Sequence, residues 1–262
     1  MITFVGAGPG APDLITVRGL RLLQEADLII YAGSLVNPAL LEYAKKGAEI
    51  HDSAAMTLEE ITELMIRADA QGRNVVRLHT GEPSLYGAVR EQMDVLDAHG
   101  IPYNSCPGVS ACFGAAADAN LEYTLPGITQ TLIITRLEGR TAVPEKEQMA
   151  LLASHRASMA IYLSTGMLEK LSAELMRGGL EPETPALLVY KATWPEEKQV
   201  FCTVGMLAGA GEENSITKTA VVLVGDAVGY PAHERSKLYD PAFETGFRSA
   251  KKTDTDLTDT DR

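Results

Sequence analysis

Near the amino end, Gly6-Ala7-Gly8-Pro9-Gly10-Ala11 follows a short apolar run with the spacing G-x-G-x-x-A. Glycines so spaced let a turn approach a pyrophosphate, whose charge then rests on a helix N-terminus. That chemistry also needs free backbone N–H groups and an acidic residue ending the second strand to hold a ribose. Pro9 removes one donor. The second apolar run, ADLIIYA (26–32), leads into Gly33-Ser34, and Asp27 stands at its wrong end. Both demands are poorly met, so the loop reads either as a weak dinucleotide fingerprint or as a tight turn that needs glycine for its own shape.

Two more stretches bear on the choice. HTGEPSLYG (79–87) follows the apolar run VVRL and leads into AVREQMDVLDAHG. Gly81 and Gly87 allow close backbone approach, and Pro83 stiffens the turn between them. Neither loop contains Lys or Arg, so a ligand without phosphate fits better, and a cationic one better still, because Glu82 then favours it. CPGVSACFGAAADA (106–119) places small residues after the strand-like YNSC, where they either admit a flat ligand to the backbone or pack a helix tightly.

The elements that must position these loops alternate along the chain. Strand-like runs at 2–6, 26–32, 48–52 and 74–80 are separated by helical stretches at 16–26, 37–46 and 57–72, the last opened by the capping box Thr57-x-x-Glu60. A second series has strands at 130–136, 158–164, 184–192, 198–204 and 218–225, with helices at 145–155 and 166–179. The runs 184–192 and 198–204 are joined by the short polar TWPEEK, which predicts a hairpin and a mixed sheet. The expected fold is therefore α/β, with two α/β domains, the first sheet mostly parallel and the second mixed. The expected divisions are an N-terminal domain at 1–117, a linker at 118–128, a C-terminal domain at 129–240 and a polar, disordered tail at 241–262. In such sheets ligands bind beyond the carboxyl ends of strands, where Gly6–Ala11 and Thr80–Tyr86 both lie.

At 262 residues, 45% hydrophobic and 22% charged, the chain reads as a soluble globular protein. A formal net charge of −12 opposes non-specific nucleic-acid binding. Cys106, Cys112 and Cys202 form neither a metal-ligand pattern nor an even set for disulfides, so no metal is expected and a reduced, cytoplasmic setting is. No basic-then-apolar leader opens the sequence and no run approaches ~20 apolar residues, so no membrane span is expected.

FVGAGPGAPDLITVRG, VVRLHTGEPSLYG and CPGVSACFGAAA, in this order and spacing, resemble the signature segments of the tetrapyrrole (corrin and porphyrin) methylases. YAGSLVNPALLE (31–42), QTLIITRLEGRT (130–141) and YKATWPEEKQ (190–199) resemble the subgroup acting at C11 of precorrin-4. The resemblance covers residues 1 to about 230. It implies S-adenosylmethionine in a cleft between the two domains, a tetrapyrrole substrate and a homodimer. Carried over by position, cofactor contacts fall on Pro9, Thr80, Gly81, Glu82, Leu85, Ser110, Ala111, Leu163 and Ala192. Two departures stand out. The family's G-D-P is here Gly81-Glu82-Pro83, and the Asp that follows the second-strand Tyr in the uroporphyrinogen-III methylases is here Ala32, so that residue's assignment as a base does not transfer.

A polycarboxylate substrate calls for forked cationic donors, for which Arg136 and Arg140 come first, then Arg90 and Lys191. The catalytic residues stay unassigned: water, Glu138, His79 or Tyr86 could take the proton released after C-methylation. Competing readings are a family member acting on another corrin carbon or on uroporphyrinogen III, an NAD-binding oxidoreductase, and a ligand-binding protein without catalysis.

Overall fold

A computed structural model describes residues 1–251. β1 (Ile2–Gly6) is buried along its whole length, as a largely apolar strand covered on both faces should be. A single 3-10 turn at Pro12–Leu14 separates it from α1 (Val17–Glu25), where the Thr16 hydroxyl accepts from the Gly19 N–H at 3.0 Å. β2 (Leu28–Tyr31) and β3 (Glu49–Asp52) follow, then α2 (Leu58–Ala70), β4 (Val75–His79), α3 (Arg90–Ala98), β5 (Tyr103–Cys106) and α4 (Ala111–Asp118). The capping box forms as its spacing predicts: Thr57 Oγ1 accepts from the Glu60 N–H, and the Glu60 carboxylate accepts from the Thr57 N–H at 2.8 Å. The stretch 37–46 departs from expectation. It is a 3-10 helix at Pro38–Tyr43 with only Leu40 buried, too short and too thinly packed to propagate as an α-helix.

The first sheet has strand order β3-β2-β4-β1-β5, with every pairing parallel. β1 and β4 are therefore neighbours at its centre, and the two glycine-bearing loops leave side by side from one edge.

The second half contains β6 (Leu132–Arg136), α5 (Met149–Ala153), β7 (Ser158–Tyr162), α6 (Leu168–Arg177), β8 (Pro185–Tyr190), β9 (Lys198–Thr203), α7 (Leu207–Glu213) and β10 (Ala220–Val224). The helix expected over 145–155 splits into a 3-10 turn at Glu145–Glu147 and α5, because Gln148 between them has extended backbone. α7 has no counterpart in the sequence reading, since two glycines in LAGAGEE dilute the helical signal. The sheet order is β6-β7-β10-β8-β9. β6 and β7 are parallel, β10 runs antiparallel to β7 and β8, and β8–β9 is the predicted hairpin.

Each sheet is packed on both faces. One face of the first sheet holds Val5, Leu23, Ile29, Val76 and Leu78; the other holds Phe4, Ile30, Met65 and Leu96. That second face also buries Arg77, whose Nε donates to Gln92 of α3 at 3.0 Å and whose Nη1 donates to the Ile30 carbonyl at 3.2 Å. In the second sheet, Met159, Ile161, Leu171 and Leu188 form one core. Its opposite face is covered by α4, where Cys112, Ala115, Ala116 and Ala119 meet Leu187, Val189, Val221 and Leu223. The helix expected to close the first domain thus packs on the second sheet. Its small side chains permit that approach: a Cβ on Gly114 would lie 2.8 Å from Pro9 and 3.0 Å from Thr193.

Residues 238–248 are tied together by Arg248, whose Nη2 donates to the carbonyls of Leu238 at 2.9 Å and Asp240 at 2.6 Å. The remainder of the expected tail, 252–262, lies outside the described residues.

Candidate functional site

Three loops of the first sheet interlock backbone to backbone. Gly8 and Gly81 form an isolated antiparallel bridge, with the Gly81 N–H donating to the Gly8 carbonyl at 2.8 Å. The Ala7 N–H donates to the His79 carbonyl at 2.7 Å, and the Ala11 N–H to Thr193 Oγ1 at 2.9 Å. A Cβ on Gly6 would stand 2.6 Å from Gly108 Cα and 2.6 Å from the Gly81 carbonyl oxygen. The glycines therefore serve the meeting of three loops. The N–H groups of Ala7, Gly8 and Ala11 are already committed, Pro9 has none, and the 3-10 turn at Pro12–Leu14 keeps α1 away from the loop, so the arrangement is not that of a pyrophosphate cradle.

Glu82 completes the interlock. Its carboxylate accepts from the Ser84 N–H at 3.0 Å and from the Gly108 N–H at 2.9 Å. It fastens the third loop to the second. Burial alone would raise the Glu82 carboxyl, but these two N–H groups outweigh it and hold it below the ordinary carboxylate value.

Beyond these loops a cavity of about 450 Å³ opens between the two sheets, within the roughly 300–1,000 Å³ range of small-molecule sites. Pro9, Thr80 and Ala111 line it from the first half, and Leu163 and Ala192 from the second. Five of the nine sequence-predicted cofactor contacts thus converge on one space. The other four, Gly81, Glu82, Leu85 and Ser110, form the turns behind it: the Leu85 N–H closes onto the Glu82 carbonyl at 3.1 Å, and Ser110 is the N-cap residue of α4.

Several lining residues escaped the sequence reading. Ser34 and Leu35 follow β2, where the ribose-binding acid was sought and missing. Trp194 lines the wall and donates from Nε1 to the Pro9 carbonyl at 3.1 Å, joining the β8–β9 turn to the first loop. As the sole tryptophan, in a segment already singled out, it carried a usable signal. Lys218 and Thr219 immediately precede β10, whose start reaches this edge because β10 is antiparallel to its neighbours. Leu163, Lys191 and Thr219 all line the cavity with positive φ, at 53°, 49° and 57°. Such backbone is costly for residues with a Cβ, and it clusters at binding sites.

The substrate candidates separate. Lys191 lines the cavity, its ammonium 5.0 Å from the Trp194 ring centroid and 3.5 Å from Glu196. Arg136 turns back on its own loop, donating to the carbonyls of Thr141 at 3.1 Å and Ala142 at 2.7 Å. It thereby shapes the turn that presents the exposed Arg140. Arg90 has another role: it pairs with Asp94 at 2.7 Å and with Asp97 at 2.5 Å, two turns along α3 and beside Tyr103 at the amino end of β5. Its guanidinium is neither free nor at the cavity edge.

Of the proton acceptors considered, His79 is buried in the sheet, and desolvation with the nearby Arg77 charge pushes its imidazole down to about 3. Glu138 lines a different cavity with Lys170 and Glu174. Tyr86 alone stands by the site, its ring 5.8 Å from that of Tyr162, which lines the cavity. No group of three or more His, Cys, Asp or Glu is arranged to hold a metal among the described residues, and no helix there is long and apolar enough to cross a membrane.

A family model described as Tetrapyrrole (Corrin/Porphyrin) Methylases matches residues 1–208. The chain is 50% identical over 251 residues to a cobalt-precorrin-4 C(11)-methyltransferase of Methanocaldococcus jannaschii, covering 96% of this chain and 97% of that protein. The solved structure of a cobalt precorrin-4 methyltransferase, a cobalamin biosynthetic enzyme, superposes with a TM-score of 0.85 at 47% identity, covering 87% of this chain and 95% of that one. A uroporphyrin-III C-methyl transferase of Thermus thermophilus, solved with S-adenyl homocysteine, gives a TM-score of 0.71 at 26% identity, covering 88% of this chain and 99% of that one.

Proposed function

This chain belongs to the tetrapyrrole (corrin/porphyrin) methylase family, and from that premise we propose that its inter-sheet cavity binds S-adenosylmethionine. The chain is a methyltransferase of cobalamin biosynthesis that methylates a corrin precursor at C11 of precorrin-4 or its cobalt complex. One observation carries the placement of the cofactor: Pro9, Thr80, Ala111, Leu163 and Ala192, which lie far apart in sequence, line a single cavity.

The residues present fit this cofactor. The walls are mostly apolar side chains and backbone, neither glycine-bearing loop holds Lys or Arg, and the two lysines of the lining, Lys191 and Lys218, both come from the second half, where Lys191 is paired with Glu196. Pro9, Thr80 and Ala111 would hold it from one side, Leu163 and Ala192 from the other, with Gly81, Glu82, Leu85 and Ser110 fixing the turns beneath. When bound, S-adenosylmethionine supplies a methyl group on a sulfonium, open to in-line displacement by an electron-rich ring carbon. The leaving sulfur becomes neutral, so the walls need stabilise no leaving anion. Their contribution is alignment of the reacting atoms, the proximity effect. A carboxylate pressed against the sulfonium would favour the ground state over the transition state. Glu82, turned onto Gly108 and Ser84, avoids that penalty.

Lys191, which lines the cavity, and the exposed Arg140 are the side chains this reading assigns to the substrate carboxylates, and Tyr86 or water takes the proton released from the methylated carbon. A reduced cytoplasmic setting and a homodimer belong to the same reading, the first supported by three free cysteines.

Turnover with precorrin-4 and with cobalt-precorrin-4, locating the new methyl by NMR, tests the proposal. The expected product is methylated at C11; methylation at another carbon, or turnover of uroporphyrinogen III alone, would overturn it.

A further inference from the structure

Ser110 occupies the N-cap position of α4, yet its side chain accepts no hydrogen bond from that helix. The N–H of Cys112, in the first turn, would be an orphan donor in a fully buried residue. Its acceptor comes from the second sheet, on which α4 packs: the phenolic oxygen of Tyr162, the last residue of β7, at 2.7 Å. The same oxygen shares a 2.7 Å hydrogen bond with Ser110 Oγ. Its ring lies 5.8 Å from that of Tyr86.

We propose that Tyr162 is a positioning residue for cofactor binding, capping α4 from the strand end on which that helix packs and so fixing Ala111 relative to Leu163 on the cavity lining. The inference rests on the reading of that cavity as the S-adenosylmethionine site. Ala111 in the lining lies within the turn that Tyr162 caps, and Leu163, also in the lining, is the residue next to Tyr162 in sequence. One hydroxyl therefore ties together two segments that would touch the same ligand. Phe at 162 keeps the ring and the Tyr86 contact but leaves the Cys112 N–H unsatisfied in a dry environment, so the turn relaxes and the ligand must reorder it.

Tyr123 supplies the control. Its hydroxyl donates at 2.6 Å to the carbonyl of the same Cys112, but its side chain does not line the cavity. Isothermal titration with S-adenosylhomocysteine should find Tyr162→Phe weakened about tenfold. The KM for S-adenosylmethionine should rise by a similar factor while kcat stays within about twofold. Tyr123→Phe should lower the Tm but leave that affinity unchanged. Equal affinity in Tyr162→Phe and wild type, or equal weakening in the two variants, would overturn the proposal. Should Tyr162→Phe not fold, hydrogen exchange in the unaltered chain decides: amides 111–113 should gain protection on adding S-adenosylhomocysteine, and no gain refutes the coupling. Failure of the unaltered chain to bind S-adenosylhomocysteine would instead sink the cofactor reading itself.

Discussion

Single atoms decide most of what the first loop can do. At Gly6 there is no room for a methyl group, because Gly108 Cα and the Gly81 carbonyl oxygen each lie 2.6 Å from where it would stand. Gly6→Ala should destabilise the fold by about 2–3 kcal/mol through overpacking, read by urea denaturation. It should also abolish S-adenosylhomocysteine binding in titration, because the three loops can no longer meet. Glu82 makes a pH-dependent prediction. Its carboxyl is held below the ordinary value in the folded chain, so the stabilisation it gives is present above the unfolded value of about 4.3 and is lost as pH falls through the lower folded one. Glu82→Gln, which does not titrate, should melt below wild type from pH 6 to 8. The gap should close as pH drops below about 4, and a gap independent of pH would refute the role of the charge.

At the scale of elements, β4 is the informative case. VVRLH reads as a buried strand, and it is one, yet Arg77 and His79 are buried with it on the face toward α3. Gln92 makes that tolerable by accepting from the Arg77 Nε. Replacing Gln92 with Leu should cost about 2–3 kcal/mol, the price of a buried cation losing a hydrogen-bond partner. Chemical denaturation measures it, and an unchanged midpoint would show that the guanidinium finds another acceptor. His79 should remain neutral by NMR from pH 5 to 8, since burial and the Arg77 charge push its imidazole down to about 3. The β8–β9 hairpin was legible from TWPEEK, but its link to Pro9 through the Trp194 indole was not. A turn's polarity says where the chain reverses and nothing about which distant backbone its side chains will reach.

At the scale of the molecule, the cavity belongs to neither sheet alone, so a ligand bound there stabilises the whole. S-adenosylhomocysteine at a hundred times its Kd should add about 2.7 kcal/mol to unfolding, with the Tm rising as ligand is added, while NADH should leave the Tm where it was. Sedimentation equilibrium should find a dimer, and a concentration-independent monomer mass would count against the homodimer. The alternation of apolar runs, the capping box and the hairpin spacing were enough to define two α/β sheets, because each follows from local backbone preferences and side-chain periodicity. The family resemblance, carried over by position, named Pro9, Thr80, Ala111, Leu163 and Ala192 together, and all five line one cavity. Only the tertiary structure showed that α4 packs on the second sheet, that Glu82 turns inward, that Arg90 is held by its own helix, and that antiparallel β10 brings Lys218 and Thr219 to the cavity. Those facts depend on contacts between residues far apart in sequence, and a hydrogen bond to a backbone donor leaves no periodic trace in the chain that supplies it.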